Sequence, residues 1–228
     1  MNAFWPVREG VFCPFPFDIH CISDETHHFI EEVRALQFHD PLFIRGSMVE
    51  SSRPFHLSDI DLIVILRTED AHKRYHQLVE LSHRSLDIKW LSDIDIEEDL
   101  VQRALITHRA FQIAGPPISL DPIPTDFDFA WAHWRTYFPS GIPRQLSTQD
   151  PFCLIFFKLI MRCFGVLSFL QSPDRFTRDI DSCMQIAEDF NLPEIEALRQ
   201  FRRALEEQKE ACINIRNVIR FVQLEFDK

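Results

Sequence analysis

The stretch "GSMVESSRPFHLSDIDLIVIL", residues 46 to 66, constrains this chain more than any other. An unbroken aliphatic run follows Asp59-Ile60-Asp61, so the segment reads as a buried strand that opens on two carboxylates. Alternation along a strand puts Asp59 and Asp61 on one face, about 7 Å apart along the chain. Ile60, Leu62 and Val64 then point to the other face. Two carboxylates that close repel one another unless a cation shares them. Magnesium, which favours carboxylate and phosphate oxygens, suits that role.

A neighbouring strand supplies a third acid. In "RSLDIKWL" Asp87 falls on the face opposite to that of Leu86 and Ile88. Gly46-Ser47 completes the set, because glycine lets the backbone approach a phosphate closely and Ser47 adds a hydroxyl donor. A phosphate cradle beside a carboxylate metal site matches in-line displacement at a nucleotide phosphorus.

The surrounding pattern is mixed. Ser23, followed by Asp24 and Glu25, caps a helix running to about Gln37. "PLFIRGS", "DIDLIVIL", "SLDIKWL" and "FQIAG" read as short strands. "EDAHKRYHQLVELSHR" and "DIEEDLVQRALITHRA" read as helices, and "SDIDIEED" as a solvated helix start that takes in Asp93 and Asp95. "GPPISLDPIPTDFD", residues 115 to 128, carries four prolines and reads as a linker. No strand pattern follows it. Asp150-Pro151 serves as an N-cap with proline at N1 for a helix over 152–170, and amphipathic helices continue to the end. The expectation is an α+β protein. Residues 1–115 form a catalytic domain with a mixed sheet flanked by helices, 116–125 a proline-rich linker, and 126–228 an all-α bundle.

Composition narrows the function. With 46% hydrophobic residues and 22 phenylalanines the chain can bury a substantial core. A net charge of -11 argues against a nucleic-acid partner and suits a cationic small molecule. The six cysteines include no C-x-x-C pair, and the start has no basic stretch followed by an apolar one. Reduced thiols in a cytoplasmic protein are the expectation. "FCLIFFKLIMRCFGVLSFL", residues 152 to 170, has the length of a membrane span, but Lys158 and Arg162 lie near its middle. Each would cost about 3 kcal/mol there, so it reads as a buried helix with a cationic stripe and no membrane is expected.

The G-S pair, the spaced "HLSDIDLIV", the later "RSLDI" and the G-P-P linker together resemble the polymerase-β-type nucleotidyltransferase superfamily. The nearer likeness is to its small aminoglycoside adenylyltransferases of the streptomycin/spectinomycin kind. The likeness covers residues 42 to 91 and, loosely, the linker; beyond residue 125 it is architectural. It implies transfer of AMP from Mg-ATP to a hydroxyl of a small cationic acceptor, with substrate bound between two domains. Asp59, Asp61 and Asp87 would hold two magnesium ions, Asp87 as ligand or as base. Gly46 and Ser47 would hold the nucleotide phosphates. This chain departs in a longer, glycine-free loop bearing Phe55, and in Asp rather than Glu as the third acid.

Other residues keep two readings. Lys158 and Arg162 either meet the triphosphate or form structural ion pairs at the bundle edge. Trp131 and Trp134 either stack on a base or sugar or, the better reading, join the core. His72 and His76 have helical spacing but lack the glutamate of H-E-x-x-H, so they read as surface residues. Two further functions fit the same residues. One is a minimal nucleotidyltransferase that adenylylates a partner protein, as in toxin–antitoxin pairs; the other is a non-catalytic nucleotide-binding module.

Overall fold

The strand-forming runs of the first half come together as one mixed sheet. The computed structural model describes residues 4–14, 22–46, 59–67, 71–82, 85–138 and 141–228, with 71–75 as backbone only. Ser47, the loop with Phe55, the side chain of His72 and Cys21 lie outside the described residues. The chain divides into two compact units, Val11–Pro124 and a second made of Asn2–Gly10 with Thr125–Lys228. The architecture is α+β, with a mixed four-stranded sheet and nine α-helices among the described residues.

Two-residue strands β1 (Val7–Arg8) and β2 (Val11–Phe12) come first. In the Val11–Pro124 unit, α1 (Asp24–Ala35) begins where Ser23 Oγ accepts from the Thr26 amide at 3.2 Å. The sheet is built from β3 (Leu42–Arg45), β4 (Ile60–Ile65), β5 (Leu86–Leu91) and β6 (Ala110–Ala114) in the spatial order β5-β4-β3-β6. β3 runs antiparallel to β4 and β6, whereas β4 and β5 are parallel. A parallel pair needs a crossover, and α2 (Ala71–Leu81) lies on it.

Both faces of β4 are covered, which is why its sequence is a continuous apolar run. Ile60, Leu62 and Val64 pack with Phe29, Ile30 and Val33 of α1 and Leu78 of α2. Ile63 and Ile65 pack on the other side with Phe43, Leu91, Ile96 and Ile106. Burying each such aliphatic side chain contributes roughly 1.5–3 kcal/mol. The segment expected as one helix after β5 is two, α3 (Asp93–Glu98) and α4 (Leu100–Arg109). Asp99 divides them, because its carboxylate accepts from the Gln102 amide at 3.0 Å and caps the second helix. Ser92 and Asp95 form a reciprocal capping box, so the repeated S-D-I-D string is the exposed helix start its sequence suggests.

The second unit is helical: α5 (Phe127–Tyr137), α6 (Cys153–Gln171), α7 (Ile180–Asp189), α8 (Ile195–Glu206) and α9 (Arg216–Phe226). The expectation of no strand after the linker, and so of an all-α bundle, needs correction. β7 (Gln145–Ser147) pairs antiparallel with β8 (Cys212–Asn214). Three-residue strands are too short to leave an alternating pattern. The cap of α6 also differs. Asp150 Oδ1 accepts from the Phe152 amide at 2.8 Å, which makes a turn before the helix, and Phe152 occupies the N-cap.

Helix α6 is the one helix among the described residues long and apolar enough to cross a membrane, and 61% of its most apolar stretch is buried. It is a core helix, with Phe157, Ile160, Met161 and Phe164 buried and Lys158 and Arg162 half-buried. Cys13, Cys153, Cys163, Cys183 and Cys212 are free thiols.

Each unit also buries a histidine. His108 Nδ1 lies 2.9 Å from the Cys13 carbonyl, and His133 Nδ1 lies 3.0 Å from that of Phe129. Burial lowers their pKa values to about 4 and about 3 respectively, outweighing those carbonyls. Both folded values lie below the unfolded one near 6.5. The stability from neutral burial is therefore complete above about pH 6.5 and is lost as pH falls towards those values. At about pH 5 the loss should reach roughly 2 kcal/mol per histidine. Thermal melts between neutral pH and about pH 5 should show a steep fall, reduced in His133→Phe. A melting temperature that does not change over this range would contradict the assignment.

Candidate active site

The register of three strands assembles the site. Arg45 on β3 is the direct partner of Asp61 on β4, and Asp61 is the direct partner of Asp87 on β5. Directly opposed residues on neighbouring strands project from the same face, so Arg45, Asp61 and Asp87 form one row. The row lies at the end of the sheet where β4 and β5 begin and β3 ends. Asp59 immediately precedes β4, and its Oδ1 accepts from Ser85 Oγ, just before β5, at 2.7 Å. The charges therefore occupy the open end of a strand whose interior is dry. Asp59 and Asp87 are exposed, Asp61 is half-buried, and Leu62 to Ile65 are fully buried.

Gly46 is required here for two reasons. Its φ is +76°, a region that other residues enter only with strain. A Cβ on it would also lie 2.3 Å from Asp61 Oδ2. A Cβ here would push this carboxylate out of its place in the row.

Two cations, Arg45 and Lys89, stand on this face beside the aspartates. Arg45 Nη2 lies 3.8 Å from Asp61 Oδ1. Its adjacency to Gly46-Ser47 was the available signal. Lys89 follows Asp87 by two on β5 and is half-buried; burial lowers its pKa, opposed first by Asp99. A lysine alternating with an acid on an otherwise apolar strand was its signal.

Among the described residues no three or more His, Cys, Asp or Glu side chains form a ready-made metal cage. The donors present nonetheless fit a hard cation. Asp61 and Asp87 are in-register neighbours, Asp59 stands two residues before Asp61, and all three offer only carboxylate oxygens.

The remaining candidates belong to the second unit. The Arg162 guanidinium carbon lies 5.9 Å from the centroid of the Tyr137 ring, and that of Arg178 lies 5.6 Å from it. The Tyr137 hydroxyl and His133 Nε2 are buried without hydrogen-bond partners among the described residues. Burial raises the Tyr137 pKa. Arg178 lies beyond the end of α6, so no helical spacing could have linked it to Arg162. Trp134 is a core residue, stacked on Phe226 at 4.0 Å, whereas Trp131 stays 45% exposed although it also stacks on Phe226. His76 is exposed.

No protein-family model matches the chain, and no curated protein matches it either.

Proposed function

We propose that this chain is a nucleotidyltransferase that transfers AMP from Mg-ATP to a hydroxyl of a small, cationic, aminoglycoside-like acceptor and releases pyrophosphate. The observation that carries the reaction class is the aspartate row at the sheet's open end, with Gly46 pressed against Asp61. The nucleotide and the acceptor class come from the resemblance, with weak support from the net charge of -11.

In this reading Asp59, Asp61 and Asp87 hold magnesium, which when bound neutralises charge developing on the phosphate oxygens. Gly46 supplies backbone that the phosphates can approach. The acceptor oxygen bonds to the α-phosphorus as the bond to the β-phosphate oxygen breaks, and pyrophosphate leaves. The hydroxyl proton passes to Asp87 or to water, and Asp87 is assigned first to the ligand set because it stands beside Asp61. From the resemblance alone, Lys158 and Arg162 are also assigned to the triphosphate.

A specific observation favours the second reading, a nucleotide-binding module without turnover. Arg45 faces Asp61, and Ser85 donates to Asp59, so both carboxylates already have partners within the chain. Pyrophosphate release across nucleotides and hydroxyl acceptors in Mg²⁺ buffer separates the two. Transfer predicts acceptor-dependent release, and a labelled protein band from radiolabelled ATP would make the acceptor a protein. Binding of ATP with no release for any acceptor would leave the module.

A further inference from the structure

We propose that the recess at the start of α9 is a second anion site, one that takes a small, multiply charged phosphate compound. The recess is about 310 Å³ and is lined by Ile142, Arg144, Arg216, Ile219, Arg220 and Gln223. Three of its six lining residues are arginines and none is acidic, in a protein of net charge -11.

Three other arginines of this unit are held by acids. Arg175 pairs with Asp189, Arg199 with Glu188, and Arg202 with both Asp181 and Glu206. Among the described residues Arg144, Arg216 and Arg220 form no ion pair. Arg216 and Arg220 are four apart on α9 and so stand on one helix face, an arrangement that like charges disfavour. Arg144 is brought to them by the short ladder. Gln145 partners Asn214, and the Ile215 amide donates to the Arg144 carbonyl at 2.9 Å. The first turn of α9 carries no acid, and its only side-chain cap among the described residues is neutral, Asn214 Oδ1 accepting from the Arg216 amide at 3.0 Å, so the remaining amides of the helix start add to the field.

A phosphate compound answers each of these features. Guanidinium forks match phosphate oxygens in paired hydrogen bonds, the Gln223 amide adds a donor, and Ile142 and Ile219 give an apolar wall for a small organic group. The volume is at the lower end for small-molecule sites, which suits a phosphate ester or pyrophosphate and not a polymer. The site uses no residue of the aspartate row and does not rest on the transferase reading.

The test is calorimetric titration of the full chain with inorganic pyrophosphate in EDTA, so that no divalent cation takes part. Glucose 6-phosphate in a parallel arm distinguishes an ester from a free phosphate. Binding tighter than about 1 mM is expected. It should weaken at least about tenfold in Arg220→Glu, which reverses one of three charges, and clearly in Arg216→Gln, which removes one. Arg199→Ala and Arg175→Gln, arginines of the same unit that are already paired with acids, should bind as the native chain does. Affinity unchanged in both recess variants, weakened as much in Arg199→Ala or Arg175→Gln, or undetectable in the native protein would overturn the site.

Discussion

Asp61→Asn is expected to lower pyrophosphate release by on the order of 1,000-fold, the scale on which one group that stabilises transition-state charge acts. The size of the effect follows from position. Asp61 is the middle member of the row, in register with Arg45 on one side and Asp87 on the other. Its Oδ2 also fills the space that a Cβ on Gly46 would take. The fold should survive. Asparagine keeps the shape, relieves repulsion with Asp87 and gives up one 3.8 Å contact to Arg45. For a half-buried pair separated by 3.8 Å, with the repulsion from Asp87 relieved at the same time, the net change should stay within about 1 kcal/mol. Gly46→Ala should lose activity by another route, because its Cβ would meet Asp61 Oδ2 at 2.3 Å and its φ of +76° would be strained. Paired melts and rate measurements in one Mg²⁺ buffer separate stability from turnover. Full activity in Asp61→Asn would remove the aspartate row from any catalytic role.

Gly165→Ala is expected to produce a large loss of stability. In the interior of an ordinary helix the exchange gains about 1 kcal/mol, because glycine is the poorer helix former. Here the sign reverses. A Cβ on Gly165 would lie 2.0 Å from the Thr177 carbonyl oxygen and 3.5 Å from Cys183 Sγ. The closer atom is backbone and cannot rotate away, so α6 and the segment through Thr177 must separate. Overpacking of this kind costs roughly 1–3 kcal/mol, and more where backbone has to move. A net loss of about 2–3 kcal/mol corresponds to a fall in Tm of roughly 5–10 °C for a chain of this length. An unchanged or raised Tm would show that the close packing of Gly165 on Thr177 is wrong.

The candidate site was half legible in the chain. Asp59 and Asp61 could be set on one face because strand alternation is a local rule, and the apolar run beyond them announced a covered strand. Gly46 was singled out as a phosphate contact, whereas its positive φ and its closeness to Asp61 depend on where β3 and β4 meet. Nothing local to Arg45 says that it stands opposite an acid sixteen residues later. Asp99 was read as helix interior, although the capping preference of aspartate was available to divide α3 from α4.

What the sequence determined by itself is whatever nearest neighbours control. Ser23 and Ser92 cap helices because a side-chain oxygen reaches an amide three residues on. β4 is buried because its own side chains are aliphatic, and α6 belongs to a core because its two cations stay half-buried at its side. Tertiary structure alone decided the pairings across distance. The register aligns Asp61 with Asp87, twenty-six residues away, and the β7–β8 ladder carries Arg144 to Arg216 across seventy-two. Arg162 and Arg178 meet on Tyr137 only because the chain turns back after α6. Such contacts repay loop-closure entropy only when the whole sheet or bundle forms, so no short window of sequence contains them.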